Sequence, residues 1–221
     1  MRRFKKILWI LTATAILYAS WLMILLSIPY LAFNRYTNFL MTKQIAWHVQ
    51  HWRISFYTHV FISSVVLIAG LFQFSSYMLH RHPRLHRALG KTYAGVVISI
   101  SGPTGLVMAF YANGGWPARI SFVILSALWI AFTATGWKRA MQHRWESHSA
   151  WMLRSYALTL SAVTLRFYAY LLGLMHMPLK PAAAYITVSW LSWTLNLLIA
   201  ELFLKRAVLK LLAPGYRQRL S

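Results

Sequence analysis

Long apolar runs separated by short polar segments dominate the sequence. Six of these runs reach the length of about 20 residues that a helix needs to cross the hydrocarbon core of a bilayer. The runs cover residues 7–31, 55–79, 90–112, 118–140, 150–174 and 183–204. The turns between them contain helix breakers such as Pro83 and Asn113-Gly114-Gly115. The pattern predicts an all-α, polytopic membrane bundle of six transmembrane helices, built as a single integral membrane domain over residues 1–221.

The basic residues are distributed unevenly about these runs. Of the 23 Lys and Arg residues, 16 lie at the two termini and in or beside the gaps after runs two and four. Five lie in or beside the other gaps, and two, Arg154 and Arg166, lie well inside run five. The positive-inside rule therefore predicts that both termini are cytoplasmic. The lipid bilayer is the expected partner, because anionic lipids on the cytoplasmic side attract this positive charge.

The composition argues against several function classes. Basic residues flank apolar runs instead of forming one stripe on a soluble fold, so we expect no nucleic-acid partner. The chain has no cysteine, which removes disulfides, thiolate metal sites and iron–sulfur clusters. It also has no Asp, so no Ser–His–Asp set can form. No hydrolytic constellation is predicted, and enzymatic activity is left open only for a redox role.

Polar side chains inside the runs fall on shared helix faces. Positions 7, 11 and 18 residues apart point the same way on an α-helix. Hydrocarbon cannot satisfy such groups, so we expect the polar faces to meet around an intramembrane cavity. The residues predicted to line this cavity are His59 and Gln73 of run two and Ser155, Thr159 and Arg166 of run five. The alternative is that the hydroxyl and amide groups only join helices by hydrogen bonds.

Arg166 is the most costly of these groups to bury in lipid, at no less than about 2.5–3.5 kcal/mol. It lies about eight residues from the outer end of its run, and His59 lies about four residues from the outer end of run two. The two residues are therefore predicted at similar depth. One interpretation is a functional pocket near the outer leaflet, and the other is that Arg166 snorkels to the outer interface.

A second cluster of histidines is predicted on the cytoplasmic side. His86 opens run three and His148 opens run five, and each has a basic neighbour, Arg87 and Arg154. Helix ends at the same membrane face can approach across a bundle. The alternative is that these histidines are solvated among the arginines of positive loops.

Sequence motifs link these segments to a known family. Residues 82–93 read H-P-x-L-H-R-x-L-G-K-x-Y, and residues 148–155 read H-x-x-W-M-x-R-S. With His59, a G-x-x-Q-F segment at 70–74 and the distal Arg166, they resemble a bacterial family of predicted membrane proteins of unknown function. The resemblance covers about residues 55–170. It implies a multi-pass protein of the bacterial inner membrane and no particular chemistry.

The chain is also similar, more faintly, to the six-helix transmembrane b-type cytochromes that pass electrons from ascorbate. Those proteins hold haem with histidine pairs on alternate central helices. That similarity implies haem b bound by His86 and His148, with Arg87 and Arg154 on its propionates. It implies no second haem, because run four has no histidine opposite His59. No metal other than this haem iron is expected.

Two functions follow as hypotheses. The first is electron transfer through a b-type haem at the cytoplasmic histidine pair, with a redox partner. The second is a transporter, or a lipid- or quinone-binding protein, that uses the polar cavity around His59 and Arg166 for a small molecule. A scaffold without a ligand is the third, and no sequence feature favours it.

Overall fold

The computed structural model of the chain describes residues 2–176 and 178–212. These residues form α-helices joined by short turns, and no β-strand occurs among them. The helices are α1 (Arg2–Ser27), α2 (Gln44–Trp47), α3 (Gln50–Gln73), α4 (Ser76–Arg81), α5 (Pro83–Val96), α6 (Gly102–Ala109), α7 (Trp116–Met141), α8 (Trp145–Thr159), α9 (Ser161–Leu174) and α10 (Pro181–Leu212). The predicted all-α bundle is thereby confirmed.

Six helical stretches of the described residues are long and apolar enough to cross a membrane, as predicted. They are Ile7–Ala32, Gln50–Gln73, Pro83–Ala109, Trp116–Met141, Trp145–Leu174 and Pro181–Arg206. The second stretch ends earlier than the run of 55–79, because Ser75 accepts a hydrogen bond from the backbone N–H of Met78 and starts the separate helix α4.

The centre of the bundle is packed around two tyrosines. Tyr93 of α5 and Tyr156 of α8 are both buried, with 1% and 5% of their surface exposed. Gly70 of α3 allows them to come this close, since a Cβ at that position would lie 2.4 Å from the ring of Tyr156 and 2.9 Å from that of Tyr93. The glycine therefore fixes the distance between α3 and its neighbours.

The third crossing is not one regular helix. Between α5 and α6 it passes through a π-helical turn, Val97–Ser101. Pro103 follows in the first turn of α6 and, having no N–H, cannot continue the helical hydrogen-bond ladder at this point. Such turns are rare and occur often at functional sites. Here the turn presents the backbone carbonyl of Ser101 to α3.

The α1–α3 connection, residues 28–49, covers one end of the bundle. It contains the 3₁₀ turns Ile28–Ala32 and Asn38–Lys43 and helix α2. It packs on an aromatic cluster that includes Tyr30, Trp52 and Phe56. Lys43 fastens it to the α6–α7 turn, because its ammonium donates hydrogen bonds to the carbonyl of Tyr111 and, at 2.6 Å, to Oδ1 of Asn113.

Candidate functional site

A cavity of about 660 Å³ lies beneath the α1–α3 connection. Its walls come from α1, α3, α6, α7, α8 and α9, with Tyr185 of α10 and four residues of the connection. Most of the lining is apolar. The polar and charged side chains that reach it are Ser27, Tyr30, Asn38, Lys43, His59, Ser63, Ser64, Ser126, Thr159, Ser161, Arg166 and Tyr185.

His59 presents an acceptor nitrogen to this cavity. Its Nδ1 lies 2.9 Å from the carbonyl oxygen of Ser101 and 3.2 Å from the hydroxyl of Thr104. A carbonyl can only accept, so Nδ1 carries the proton and, in the neutral ring, Nε2 carries the lone pair. Nε2 has no hydrogen-bond partner among the described residues, and it is not an enclosed atom. It is therefore available to a ligand.

Arg166 lines the same cavity and keeps exposed surface at its edge. Its Nη1 donates to the carbonyl of Ala162 at 2.8 Å, one turn toward the N-terminal end of its helix. The guanidinium thus turns away from Leu174, the nearer end of the crossing. It interacts electrostatically with His59, Tyr30 and Tyr185, which are all cavity residues. His59 and Arg166, which the sequence predicts at similar depth, therefore line the same cavity.

No acidic side chain of the chain neutralises this cavity. The sequence has two acids, of which Glu201 is bonded to Arg154 and Glu146 lies in the first turn of α8, at the other end of that crossing from the cavity. Lys43 adds a second cationic group to the lining. Burial, together with the positive charge of Arg119, lowers the pKa of Lys43 to about 8. The cavity is thus cationic without a compensating carboxylate.

Several hydroxyl groups at the cavity have no partner. Many Ser and Thr residues in the crossings bond to the carbonyl three or four residues before them, as Thr104 does to Ile100 at 2.7 Å. In the part of the chain that the structure describes, no side-chain hydrogen bond is made by Ser64, Ser126, Ser161, Tyr30 or Tyr185. None of these hydroxyls is an enclosed atom either. They can serve a bound molecule or water.

Two of the residues predicted to line the cavity lie elsewhere. Gln73 is at the far end of α3, where its Oε1 packs 3.0 Å from the Cβ position of Gly90, and its Nε2 is buried without a partner. Ser155 is fully buried below the cavity. Of the two run-five hydroxyls predicted for the cavity, those of Ser155 and Thr159, only that of Thr159 reaches it. Ser155 stands four residues before Thr159 on the same helix and so lies below the cavity, which Thr159 and Arg166 both reach.

Ser155 belongs to a buried hydroxyl network below the cavity. The hydroxyl of Tyr93 lies 2.7 Å from Oγ of Ser155 and 2.8 Å from Oγ1 of Thr159. Ser155 bonds onward to Thr133 at 2.6 Å, and the indole N–H of Trp129 donates to Thr159 at 3.0 Å. One consistent chain of donors starts at the indole N–H of Trp129 and ends at the backbone carbonyl of the same residue, 2.6 Å from Oγ1 of Thr133. Between these ends it passes through the hydroxyls of Thr159, Tyr93, Ser155 and Thr133. The network joins α5, α7 and α8.

The histidine pair at the opposite end is also brought together. His86 and His148 interact electrostatically. Nδ1 of His148 bonds to the carbonyl of Gly136 at 2.8 Å, which leaves its Nε2 free, and Nδ1 of His86 is buried without a partner. Arg87 is exposed. Arg154 is not free for a propionate, because both of its bonds go to Glu201.

Sequence reasoning missed several residues of the cavity. Lys43 comes from a connection between crossings, where helical periodicity gives no signal. Ser126 is the cavity hydroxyl of α7, and the sequence predicted no cavity residue on that helix. Ser64 follows Ser63 in run two, and only this pair of adjacent serines could have suggested Ser64 as a cavity residue.

Residues 56–204 match a family described as predicted membrane protein, DUF2306. The match covers more than half of the chain, so the chain belongs to this family, whose function is unknown. No curated protein and no solved structure matches the chain.

Proposed function

We propose that this member of the DUF2306 family is a membrane-embedded binding protein that holds one amphiphilic molecule, such as a lipid or a quinone, in the cavity beneath the α1–α3 connection. The observation that supports it best is that His59 and Arg166 line one cavity of about 660 Å³. This volume lies within the range of about 300–1,000 Å³ found for small-molecule sites.

The lining matches a molecule with one polar and one apolar part. Leu67, Leu125, Leu158 and Leu165 are among the apolar walls, which would pack on an alkyl or prenyl chain. His59 and Arg166 offer an acceptor and several donors within hydrocarbon depth. Acyl chains cannot satisfy these groups, so a polar headgroup or water must.

The entrance argues for a ligand that arrives through the membrane. Arg166 lines the cavity and is exposed at the surface of the bundle. It lies eight residues before Leu174, the last residue of its crossing, which is about 12 Å along the helix. We therefore place the entrance at this depth, where it would face lipid and admit a membrane-soluble molecule directly. This supports lipid-phase binding over transport of a water-soluble solute.

The test is thermal unfolding of the protein in lipid nanodiscs with three probes: decylubiquinone, laurate and dodecanol. We expect one probe or more to raise the Tm, since binding to the folded state alone stabilises it. Ala162→Phe adds a ring at a cavity-lining position and should abolish the rise. Ala169→Phe makes the same change on the exposed face of α9 and should keep it.

The proposal fails if no probe stabilises the wild type, or if Ala162→Phe responds to the probes as the wild type does. Without a probe, the Tm of each variant reports whether it folds. If Ala162→Phe does not fold, Ala162→Leu adds less volume at the same position and takes its place.

Haem-linked electron transfer at His86 and His148 is the second candidate. It is favoured by the electrostatic contact of the two imidazoles and by the free Nε2 of His148. Haem would supply one-electron chemistry when bound. The fit is partial, since Arg154 is bonded to Glu201 and only Arg87 is left for a propionate. The protein expressed with haem supplied should give a reduced-minus-oxidised Soret difference that His148→Ala removes, and no such difference in the wild type excludes this function.

A further inference from the structure

The charge of the cavity points to the chemistry of the headgroup, an inference that rests on the proposed binding function. We infer that the ligand carries an anionic oxygen headgroup, a carboxylate or a phosphate, bound at Arg166, on an apolar chain that occupies the rest of the cavity.

The first argument is the missing counter-charge. An arginine within the hydrocarbon is tolerated when it is paired or reaches a polar environment. Arg166 makes one hydrogen bond, to Ala162, within the described residues. The two acids of the sequence, Glu146 and Glu201, lie elsewhere. The chain itself therefore cannot neutralise Arg166 from inside the cavity, whereas an anionic ligand can, through charge-assisted bonds to the guanidinium.

The second argument is the set of donors around Arg166. Tyr30 and Tyr185 lie within electrostatic range of the guanidinium, and both line the cavity. Their hydroxyls have no hydrogen-bond partner in the described ranges 2–176 and 178–212, and neither is enclosed. Two phenol O–H donors beside a guanidinium fit the several lone pairs of a carboxylate or phosphate. The guanidinium would repel a cationic headgroup at this position.

The third argument is the apolar remainder. An inorganic anion would need only the region of Arg166, whereas the cavity continues to Leu67 of α3 and Leu125 of α7. Burying an alkyl chain against such walls contributes about 0.8 kcal/mol per methylene group. Attachment to an apolar chain therefore adds affinity that a free anion lacks.

The experiment compares probes with the same 12-carbon chain and different headgroups in nanodiscs of zwitterionic lipid. The probes are laurate, dodecyl phosphate, dodecanol and dodecyltrimethylammonium, with inorganic phosphate as the probe without a chain. Apparent Kd values come from the concentration dependence of the Tm. We expect one of the two anions or both to bind at least about tenfold more tightly than dodecanol, a difference of about 1.4 kcal/mol. The ratio of laurate to dodecyl phosphate tells a carboxylate ligand from a phosphate one.

Three variants assign the preference to its residues. Arg166→Gln should bring the anions to the affinity of dodecanol. Tyr185→Phe keeps the ring and removes one donor, so it should weaken the anions several-fold and leave dodecanol unchanged. Arg35→Gln is the matched control, because it removes an exposed cation of the α1–α3 connection that does not line the cavity, and it should change nothing.

The outcomes separate the two proposals. Equal binding of laurate, dodecyl phosphate and dodecanol overturns the anionic headgroup and leaves amphiphile binding in place. Inorganic phosphate that binds as tightly as dodecyl phosphate overturns the role of the chain. An anion preference that survives in Arg166→Gln and in Tyr185→Phe overturns the assigned site. Binding of no probe at all, decylubiquinone included, overturns the proposed function itself.

Discussion

The guanidinium of Arg154 in α8 holds the carboxylate of Glu201 in α10 with two hydrogen bonds, of 2.5 and 2.9 Å. This bidentate pair joins the fifth and sixth crossings. The ring of Trp151 lies under the guanidinium, 4.9 Å from its central carbon. The pair occupies one of the two acids of the chain, and it occupies the arginine that the sequence assigned to a haem propionate.

The first prediction concerns this pair. Arg154→Leu leaves the Glu201 carboxylate without its partner, so it should lower the Tm more than the double variant Arg154→Leu/Glu201→Leu does. The coupling energy from the double-mutant cycle should be between about 0.5 and 3 kcal/mol. Thermal unfolding in one mild detergent gives all four values. Additive effects of the two single variants would mean that the two residues are not coupled.

The second prediction concerns the hydroxyl network. Tyr93→Phe removes the hydroxyl that lies between Ser155 and Thr159, so each of these buried residues loses one hydrogen bond. We expect a loss of about 1–2 kcal/mol in the free energy of unfolding. Tyr170→Phe is the control, because Tyr170 is 69% exposed. Equal stability of the two variants would contradict the network.

The third prediction concerns Gly70. A methyl group there would lie 2.4 Å from the buried ring of Tyr156, so Gly70→Ala should destabilise the protein by about 1–3 kcal/mol through overpacking. Gly95→Ala is the matched control, because a Cβ at Gly95 has no atom within 4 Å. Alanine is favoured over glycine in a helix by about 1 kcal/mol, so that control should be stabilised or unchanged. If both variants lose stability alike, the close approach at Gly70 is not the cause.

The fourth prediction is a pH dependence from Lys43. Its folded-state pKa of about 8 lies below the ordinary value of 10.5, because burial disfavours the charged ammonium. Between these two values the unfolded chain binds more protons than the folded protein, so stability due to Lys43 rises with pH across this window, by up to about 1.4 kcal/mol per unit. Below about pH 8 the folded protein carries the whole free-energy cost of burying the charged ammonium.

The measurement is the Tm of the wild type and of Lys43→Met from pH 7.5 to 10.5. Other titrating groups are common to both proteins, so the difference between them isolates Lys43. The Tm of the wild type should rise relative to the Tm of Lys43→Met as the pH rises. A difference that stays constant over this range would show that Lys43 has an unshifted pKa.

The fifth prediction is the orientation in the membrane. The chain has no cysteine, so single-cysteine variants report sidedness directly. Tyr36→Cys, in the exposed part of the α1–α3 connection, should react with a membrane-impermeant maleimide on intact cells. Arg144→Cys, between α7 and α8, should react only after lysis. The reverse pattern would contradict the positive-inside assignment of the termini.

The positions of the crossings could be predicted because bilayer thickness sets the length of an apolar run. The similar depth of His59 and Arg166 followed from their distance to the ends of those runs. Periodicity then failed at identifiable places. It places residues on a face but not at a depth, so Gln73 falls in line with His59 although it lies about 21 Å farther along α3. Ser155 likewise shares a face with Thr159 but is buried below the cavity.

The sequence by itself determined that the protein is a bundle of six crossings and which polar groups stand at hydrocarbon depth, because both depend only on the order of apolar and polar residues along the chain. The tertiary structure decided which of these groups share a space. It joined His59 to Arg166 and Lys43 around a cavity, and it paired Arg154 with Glu201 across two helices. Such contacts depend on the rotation of the helices and on the packing of a connection between crossings, and neither has a local pattern in the sequence.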